Sequence, residues 1–464
     1  MRHRTIGLLN QRHGRTRQER PTKTVVSRHF QAPLVTSRIP MNYKLLSISL
    51  VSLCLVFATA DFAKNSAAGE SPAEEKMAIA KKAIALNPDS ADAQNALALA
   101  LTRRARESSN PDYYDQAAEA VKESLRIAPD NFDARRIETW VALGKHEFAR
   151  ALELARALSK SRPDDVLAYA LLTDACVETG NYDEAEKAAQ WALDMRPGEI
   201  SGLTRAAYLR ELFGDIQGSV DLMQSAYTKT APSEVEDRAW ILTQFAHLQL
   251  LSGKAEVAEA ALADALKLFP SYHYALGNMV KVRTAQQRYE DAVVVARDFV
   301  RAAPHPENLY VLGEALARAG KSAEAQTVFT DFETKALAES EGSDNANREL
   351  VFYYVNHTAK PAEALRIAKQ ELARRQDVFT RDALAWALQA NGDHPAATAE
   401  MEKALVIGIR DPVFFYHAGI IAKKNGDHAQ AKKYLQESLK LAERSEVCDL
   451  VRSALEQLQA VSSN

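Results

Sequence analysis

The chain has 464 residues, 47% of them apolar, with only 18 glycines and 16 prolines, a balance that favours long helices over loops or disorder. The formal net charge of −3 hides a split: residues 1–60 carry ten Lys/Arg against the single acid Glu19, leaving the remainder at −12. An acidic body with no basic stripe excludes a phosphate backbone as the main partner, so no nucleic-acid role is expected.

Residues 1–40 are Arg-rich, poor in acid and without helical periodicity. Two readings stay open: an Arg-rich transit peptide, or upstream sequence taken in by an early start codon. Met41-Asn42-Tyr43-Lys44 then opens a basic segment, Leu45–Ala58 is a 14-residue apolar run, and Ala58-Thr59-Ala60 ends it on small residues. This is the three-part form of a secretory signal, its core short for a membrane span. The alternative is an uncleaved anchor over residues 45–60. Bulky Leu53 before Cys54 argues against lipidation there. Cleavage near Asp61 implies a mature protein outside the cytoplasm, periplasmic or secreted, with residues 61–74 as a flexible leader.

Glu75–Leu86 reads as a lone helix before Asn87-Pro88. Farther on, Val166–Pro197 holds two short amphipathic patterns joined by Gly180-Asn181-Tyr182. Leu172, Thr173 and Cys176 share a side of the first helix; Ala185, Ala189 and Ala192 share a side of the second. Neither helix buries its stripe alone, so the unit needs copies on both sides. The small residue opening the second helix recurs as Ala117, Ala151, Ala185, Ser219, Ala258, Ala292, Ala325, Ala364, Ala397 and Ala431, at intervals of 34, 34, 34, 39, 34, 33, 39, 33 and 34. Gly214, Gly320, Gly392 and Gly426 sit at the turns, where glycine suits a left-handed helix end. Prolines 163, 197, 232, 270 and 304 stop the units.

The first repeat, Ala91–Pro129, carries seven extra residues, read as a longer loop around Arg106–Pro111. Residues 338–346 (AESEGSDNA) lack periodicity and read as a polar linker. It divides a block at 75–337, a half repeat plus seven repeats, from a block of three repeats at 347–444. Residues 445–461 read as a capping helix over the last apolar face.

Tyr169, Leu172, Cys176, Gly180, Tyr182, Ala185, Ala192 and Pro197 fall where the 34-residue tetratricopeptide repeat places its large, small and turn residues. The chain resembles that family from residue 75 onward. Thr380–Leu388, followed by Gly408–Ile420, is similar to the closing repeat pair of many bacterial tetratricopeptide proteins. The resemblance implies an all-α fold, a right-handed α-α superhelix of about ten helix-turn-helix repeats with a C-terminal capping helix. It also implies that the first helix of each repeat lines a concave groove for a partner peptide. On that register the mid-helix positions include Leu99, Trp140, Asp174, Tyr208, His247, Lys281 and Glu314, and then Tyr353, Trp386 and Ile420. An earlier groove position gives Tyr310 and Tyr416, and one near the helix start gives Tyr274. The groove candidates are therefore Trp140, Tyr208, His247, Tyr274, Tyr310, Tyr353, Trp386 and Tyr416, because Tyr and Trp dominate binding hot spots. Packing between repeats is the competing use of each ring. The family's carboxylate clamp, Lys and Asn at the earlier and mid-helix positions, does not transfer, since those pairs read Arg136/Trp140, Ala170/Asp174 and Tyr310/Glu314.

No catalytic, cofactor or metal site is expected. Cys176 and Cys448 lie too far apart in a repeat array for a disulfide, and neither has a CxxC neighbour. The eleven histidines form no HExxH, and GxxxxGK, GxGxxG and GxSxG are all missing. The expected function is a non-catalytic scaffold that binds a partner protein or peptide outside the cytoplasm. The alternative is a membrane-anchored structural or assembly component of an envelope complex, attached through residues 45–60.

Overall fold

The structure, a computed structural model, describes residues 71–441 and 447–462. The leader, signal and anchor readings of residues 1–60, Cys54 included, lie outside these. Among the described residues there are 22 helices and no strand. The first, α1 (Pro72–Leu86), starts earlier than its apolar pattern suggests. Ser71 accepts from the Glu74 N–H while the Glu74 side chain accepts from the Ser71 N–H, and Pro72 occupies the first turn. That capping box satisfies helix-end donors, so residues 71–74 belong to the helix start and not to a leader.

Ten helix pairs follow. The first four are α2 (Ala91–Ser108) with α3 (Asp112–Ile127), α4 (Phe132–Gly144) with α5 (Phe148–Ser161), α6 (Val166–Glu178) with α7 (Tyr182–Met195), and α8 (Ile200–Leu212) with α9 (Ile216–Lys229). Next come α10 (Val235–Leu251) with α11 (Ala255–Leu268), α12 (His273–Ala285) with α13 (Tyr289–Ala302), and α14 (Pro306–Arg318) with α15 (Ser322–Glu339). The last are α16 (Asn347–Asn356) with α17 (Pro361–Arg374), α18 (Val378–Ala390) with α19 (His394–Leu405), and α20 (Pro412–Lys424) with α21 (His428–Leu441). The capping helix α22 (Cys448–Ser462) closes the array, burying Val451, Ala454 and Leu458 against Leu435.

The repeat marks do what their spacing implies. All ten small residues are buried, Ala325 at 3% exposure and the other nine at 0%, so paired helices meet closely. The turns take a left-handed residue at every unit: Ser109, His146, Gly180, Gly214, Gly253, Gln287, Gly320, Ala359, Gly392 and Gly426 all have positive φ. First helices are capped by side chains where the sequence offers them, at Ser90, Asn131, Asp165, Asp377 and Asp411.

Two stretches differ from expectation. The seven extra residues of the first repeat are not a loop; they lengthen α2 to 18 residues and α3 to 16, against 13 and 14 in the next repeat. Residues 338–346 do not separate two bodies. The Arg374 guanidinium donates to the carbonyls of Ser340, Glu341 and Gly342, at 3.0, 2.7 and 2.7 Å, and Asn347 Nδ2 donates to the Ser340 carbonyl at 3.1 Å. One apolar cluster, including Phe329, Phe332, Leu350, Val351 and Ala383, runs across the stretch.

The helix pairs coil far enough to touch themselves. The Glu178 carbonyl accepts from the Gln376 N–H at 2.9 Å, and the Tyr182 hydroxyl accepts from the Val378 N–H, 196 residues away, at 2.9 Å. His305 reaches the Ser109 carbonyl across the same interval of 196 residues. One turn of the coil therefore takes about six repeats.

Candidate functional site

The contact between coil turns follows a rule. The helix-turn-helix corners of repeats one to four meet the connections that lead into later first helices. In repeat one, the α2 extension carries Arg103 and Arg106 to the start of α10, pairing with Glu234 at 2.8 Å and Glu236 at 3.0 Å. Glu236 also accepts from the Tyr272 hydroxyl at 2.6 Å. Burial opposes the Arg106 charge, but Glu236 and Asp237 outweigh it and keep the guanidinium charged. The Arg106 carbonyl accepts from His273 Nε2 at 2.9 Å. Burial lowers the His273 pKa to about 4, so the ring stays neutral there.

In repeat two, His146 Nδ1 lies 3.2 Å from Asp344. In repeat three, Glu178 takes the Arg375 guanidinium at 2.6 Å. In repeat four, the corner at Phe213 and Gly214 abuts Gly408 and Arg410. Val378, Ile409 and Phe414 join the same apolar cluster as Leu203, Leu209 and Val220, so the seam has a hydrophobic strip as well as ion pairs. The inner face of the first helices thus faces a channel closed along its side by this seam, not an open groove.

The eight groove candidates divide on that face. Tyr353 and Trp386 do not line it. Tyr353 is 2% exposed and packs edge-on to Phe332 at 5.6 Å. Trp386 is 8% exposed, stacks on His417 at 4.1 Å and donates from Nε1 to Asn356 Oδ1 at 2.9 Å. Both rings are taken up by packing between repeats. Buried His417 is held by Asp382 at 2.8 Å.

The other six keep surface. Tyr310 is half-buried beside Phe332 at 5.4 Å, and Tyr416 lies 6.0 Å from Trp386. Tyr208 is half-buried, its phenol pushed well above the usual range by burial and the Glu178 carboxylate. His247 Nε2 lies 2.9 Å from Glu211 Oε1. Tyr274 is 40% exposed over His273, and Trp140 is half-buried.

Among these, Trp140 borders a pocket of about 330 Å³, with Leu99, Ile137 and Leu167 as apolar walls. It lies on the inner face of α2, α4 and α6, toward their N-terminal ends. The seam uses the opposite edge of these repeats, so the pocket opens at the coil's free rim.

Burial, then the Glu349 carboxylate, raises the Glu307 pKa to about 7. Cys176 is buried and its thiol is pushed up to about 12 by that burial, which suits packing and not nucleophilic chemistry. Among the described residues no three His, Cys, Asp or Glu gather closely enough to hold a metal ion.

Sequence reasoning missed the seam residues Arg106, Glu236, Glu178 and Arg375, and the polar half of the Trp140 pocket.

A tetratricopeptide-repeat family model matches residues 140–233 and 279–332, and a second matches residues 414–445. No curated protein matches the chain. Among solved structures, a human IFIT1 dimer with m7Gppp-AAAA is similar at 14% identity and a TM-score of 0.47, over 80% of this chain and 86% of that one. PilW, described as a widely conserved type IV pilus biogenesis factor, is similar at 13% identity and a TM-score of 0.39, over 44% of this chain and 92% of that one. A tetratricopeptide repeat protein from Parabacteroides merdae is similar at 18% identity and a TM-score of 0.34, over 56% of this chain and 98% of that one.

Proposed function

Since the chain is a tetratricopeptide-repeat protein, we propose that it works outside the cytoplasm as a non-catalytic scaffold, holding a partner polypeptide against the inner face of its first helices. Repeats of this family generally serve as protein-binding modules. The observation that carries the reading is the inner face itself. It keeps Trp140 and Tyr274 partly exposed, places the Trp140 pocket at the free rim, and is screened from the side by the seam. A partner then enters from the rim, with the rigid Trp140 ring among its first contacts.

The test is capture from a native envelope extract, with the full chain as bait beside the Trp140→Ala/Tyr274→Ala variant. The expected result is one or more proteins retained by the parent and lost, at unchanged helicity, with the variant. Equal retention by both baits would remove the inner face from the binding reaction.

A further inference from the structure

We propose that the open face of α1 pairs with α1 of a second copy of this chain, antiparallel about a twofold axis at Ile79, so that two coils join end to end. This contact is independent of the scaffold reading and adds to it.

By its spacing, α1 is a second helix. In Ala117/Pro129, Ala151/Pro163 and Ala185/Pro197 the buried small residue stands twelve residues before the proline, and the same count back from Pro88 gives Lys76. In α3 and α7 the positions three and seven residues beyond the mark, Ala120 with Ser124 and Ala188 with Ala192, are buried too. Ser124 Oγ donates to the Ala91 carbonyl of its own first helix at 3.2 Å, so that helix covers this side. Among the described residues no first helix precedes α1. Here Lys76, Ile79 and Ala83 are all exposed, Ile79 at 62%, and Leu86, two turns farther along the same stripe, at 80%. The far end of the array shows the contrast, since α22 buries its apolar residues against α21 there. A solenoid end that presents large apolar side chains needs such a cover.

Two features say what the cover is. The first is Lys76. A first helix seated at the usual close distance needs the small residue present in all ten pairs, and it would bury the Lys76 cation, which lies 3.7 Å from Glu234. The occupant therefore lies away from Lys76, along Pro72, Ile79 and Leu86, which share one side by their seven-residue spacing. The second is charge order. On that side Glu75 stands in the first turn and Lys82 two turns later, both exposed and without a partner among the described residues. A helix with its acid near one end and its base toward the other complements an antiparallel copy of itself. Pairing about Ile79 lays Leu86 over the partner's Pro72 and sets Lys82 beside the partner's Glu75, and the twofold axis repeats both contacts. One helix pair is a small interface, so dimer and monomer exchange in the micromolar range. The dimer carries two inner faces, and a partner with two binding segments gains from their linkage.

Sedimentation equilibrium of the full chain over about 1–200 µM, a range suited to a small interface, tests the pairing. The variants are Ile79→Glu, Glu75→Lys and the swap Glu75→Lys/Lys82→Glu. All three positions are exposed, so circular dichroism should show unchanged helicity. The parent should dimerise, Ile79→Glu should be monomeric throughout, and Glu75→Lys should weaken the dimer about tenfold by setting like charges together twice. The swap should restore the affinity to within about threefold, because it exchanges the two charges and keeps their order complementary. A parent that stays monomeric overturns the pairing, and a loss of stability in Ile79→Glu alongside it would hand the face to residues 1–70 of the same chain. A dimer indifferent to Ile79→Glu overturns it as well, by placing the contact elsewhere. A dimer lost with Glu75→Lys and not recovered by the swap overturns the antiparallel arrangement. None of these outcomes touches the capture experiment, which reads the inner face alone.

Discussion

At the scale of single residues, the same turn position meets different surroundings on and off the seam. Gly180 and Gly320 share a left-handed backbone, φ 73° and 74°, so an alanine is strained at either by roughly 1 kcal/mol. A Cβ at Gly320 meets nothing within 4 Å, whereas one at Gly180 would stand 2.8 Å from the Gln376 carbonyl oxygen. Gly180→Ala should therefore cost about 2–4 kcal/mol and Gly320→Ala about 1, read from urea midpoints, because the seam must give way only in the first. Equal losses would mean that the coil turns do not press together at this corner. Glu307 supplies a pH test. Its carboxyl is raised to about 7 by burial and by Glu349, with His305 pulling the other way. A raised acid gives its full contribution below its unfolded pKa and loses it as pH climbs through the folded one. The stability of Glu307→Gln relative to the parent, read from urea midpoints, should change little near pH 5 and rise in the variant's favour toward pH 8, by about 2–3 kcal/mol. A difference constant across that range would show that Glu307 titrates normally.

At the scale of elements, what the sequence disclosed depended on whether the cause was local. Helix pairs were readable because Ala117, Ala151 and their equivalents must be small wherever two helices cross, and this recurs in register. Polar capping was readable too, and the Ser71 to Glu74 capping box could have been found by its S-x-x-E spacing with Pro72 inside it. The departures from the 34-residue period were visible as irregularities, yet their meaning was not. The lengthened α2, the 17-residue α10 and the 338–346 turn all lie at the seam, through Arg106, Glu236 and Asp344 respectively. Their partners are 130 residues away or more, which no local pattern encodes. Trp140 and Tyr274, named by the inner-face register, keep exposed surface. The register failed at Tyr353 and Trp386 because periodicity tells which face a residue occupies but not how large its neighbours are.

At the scale of the whole molecule, the seam alters how stability is shared. Repeat arrays ordinarily couple each unit only to its neighbours, so local damage stays local. Here Arg375 lies 197 residues from Glu178 and bonds to it at 2.6 Å, while the same guanidinium is 3.0 Å from Asp377. Burial opposes the Arg375 charge, and Glu178 with Asp377 outweighs it. Removing that cation leaves Asp377, with a side chain only 4% exposed, without one of its two cationic neighbours. Arg375→Ala should therefore cost on the order of 3 kcal/mol. The more telling readout is where the loss goes. In an array coupled only through neighbours, hydrogen exchange would quicken around α17 and α18 and leave α6 and α7 protected. With turns of the coil locked together, the amides of α6 and α7 should lose protection in the same variant, and small-angle scattering should show a wider particle. Exchange that quickens only around α17 and α18, with an unchanged scattering profile, would mean that the seam closes the channel without binding its turns into one cooperative unit.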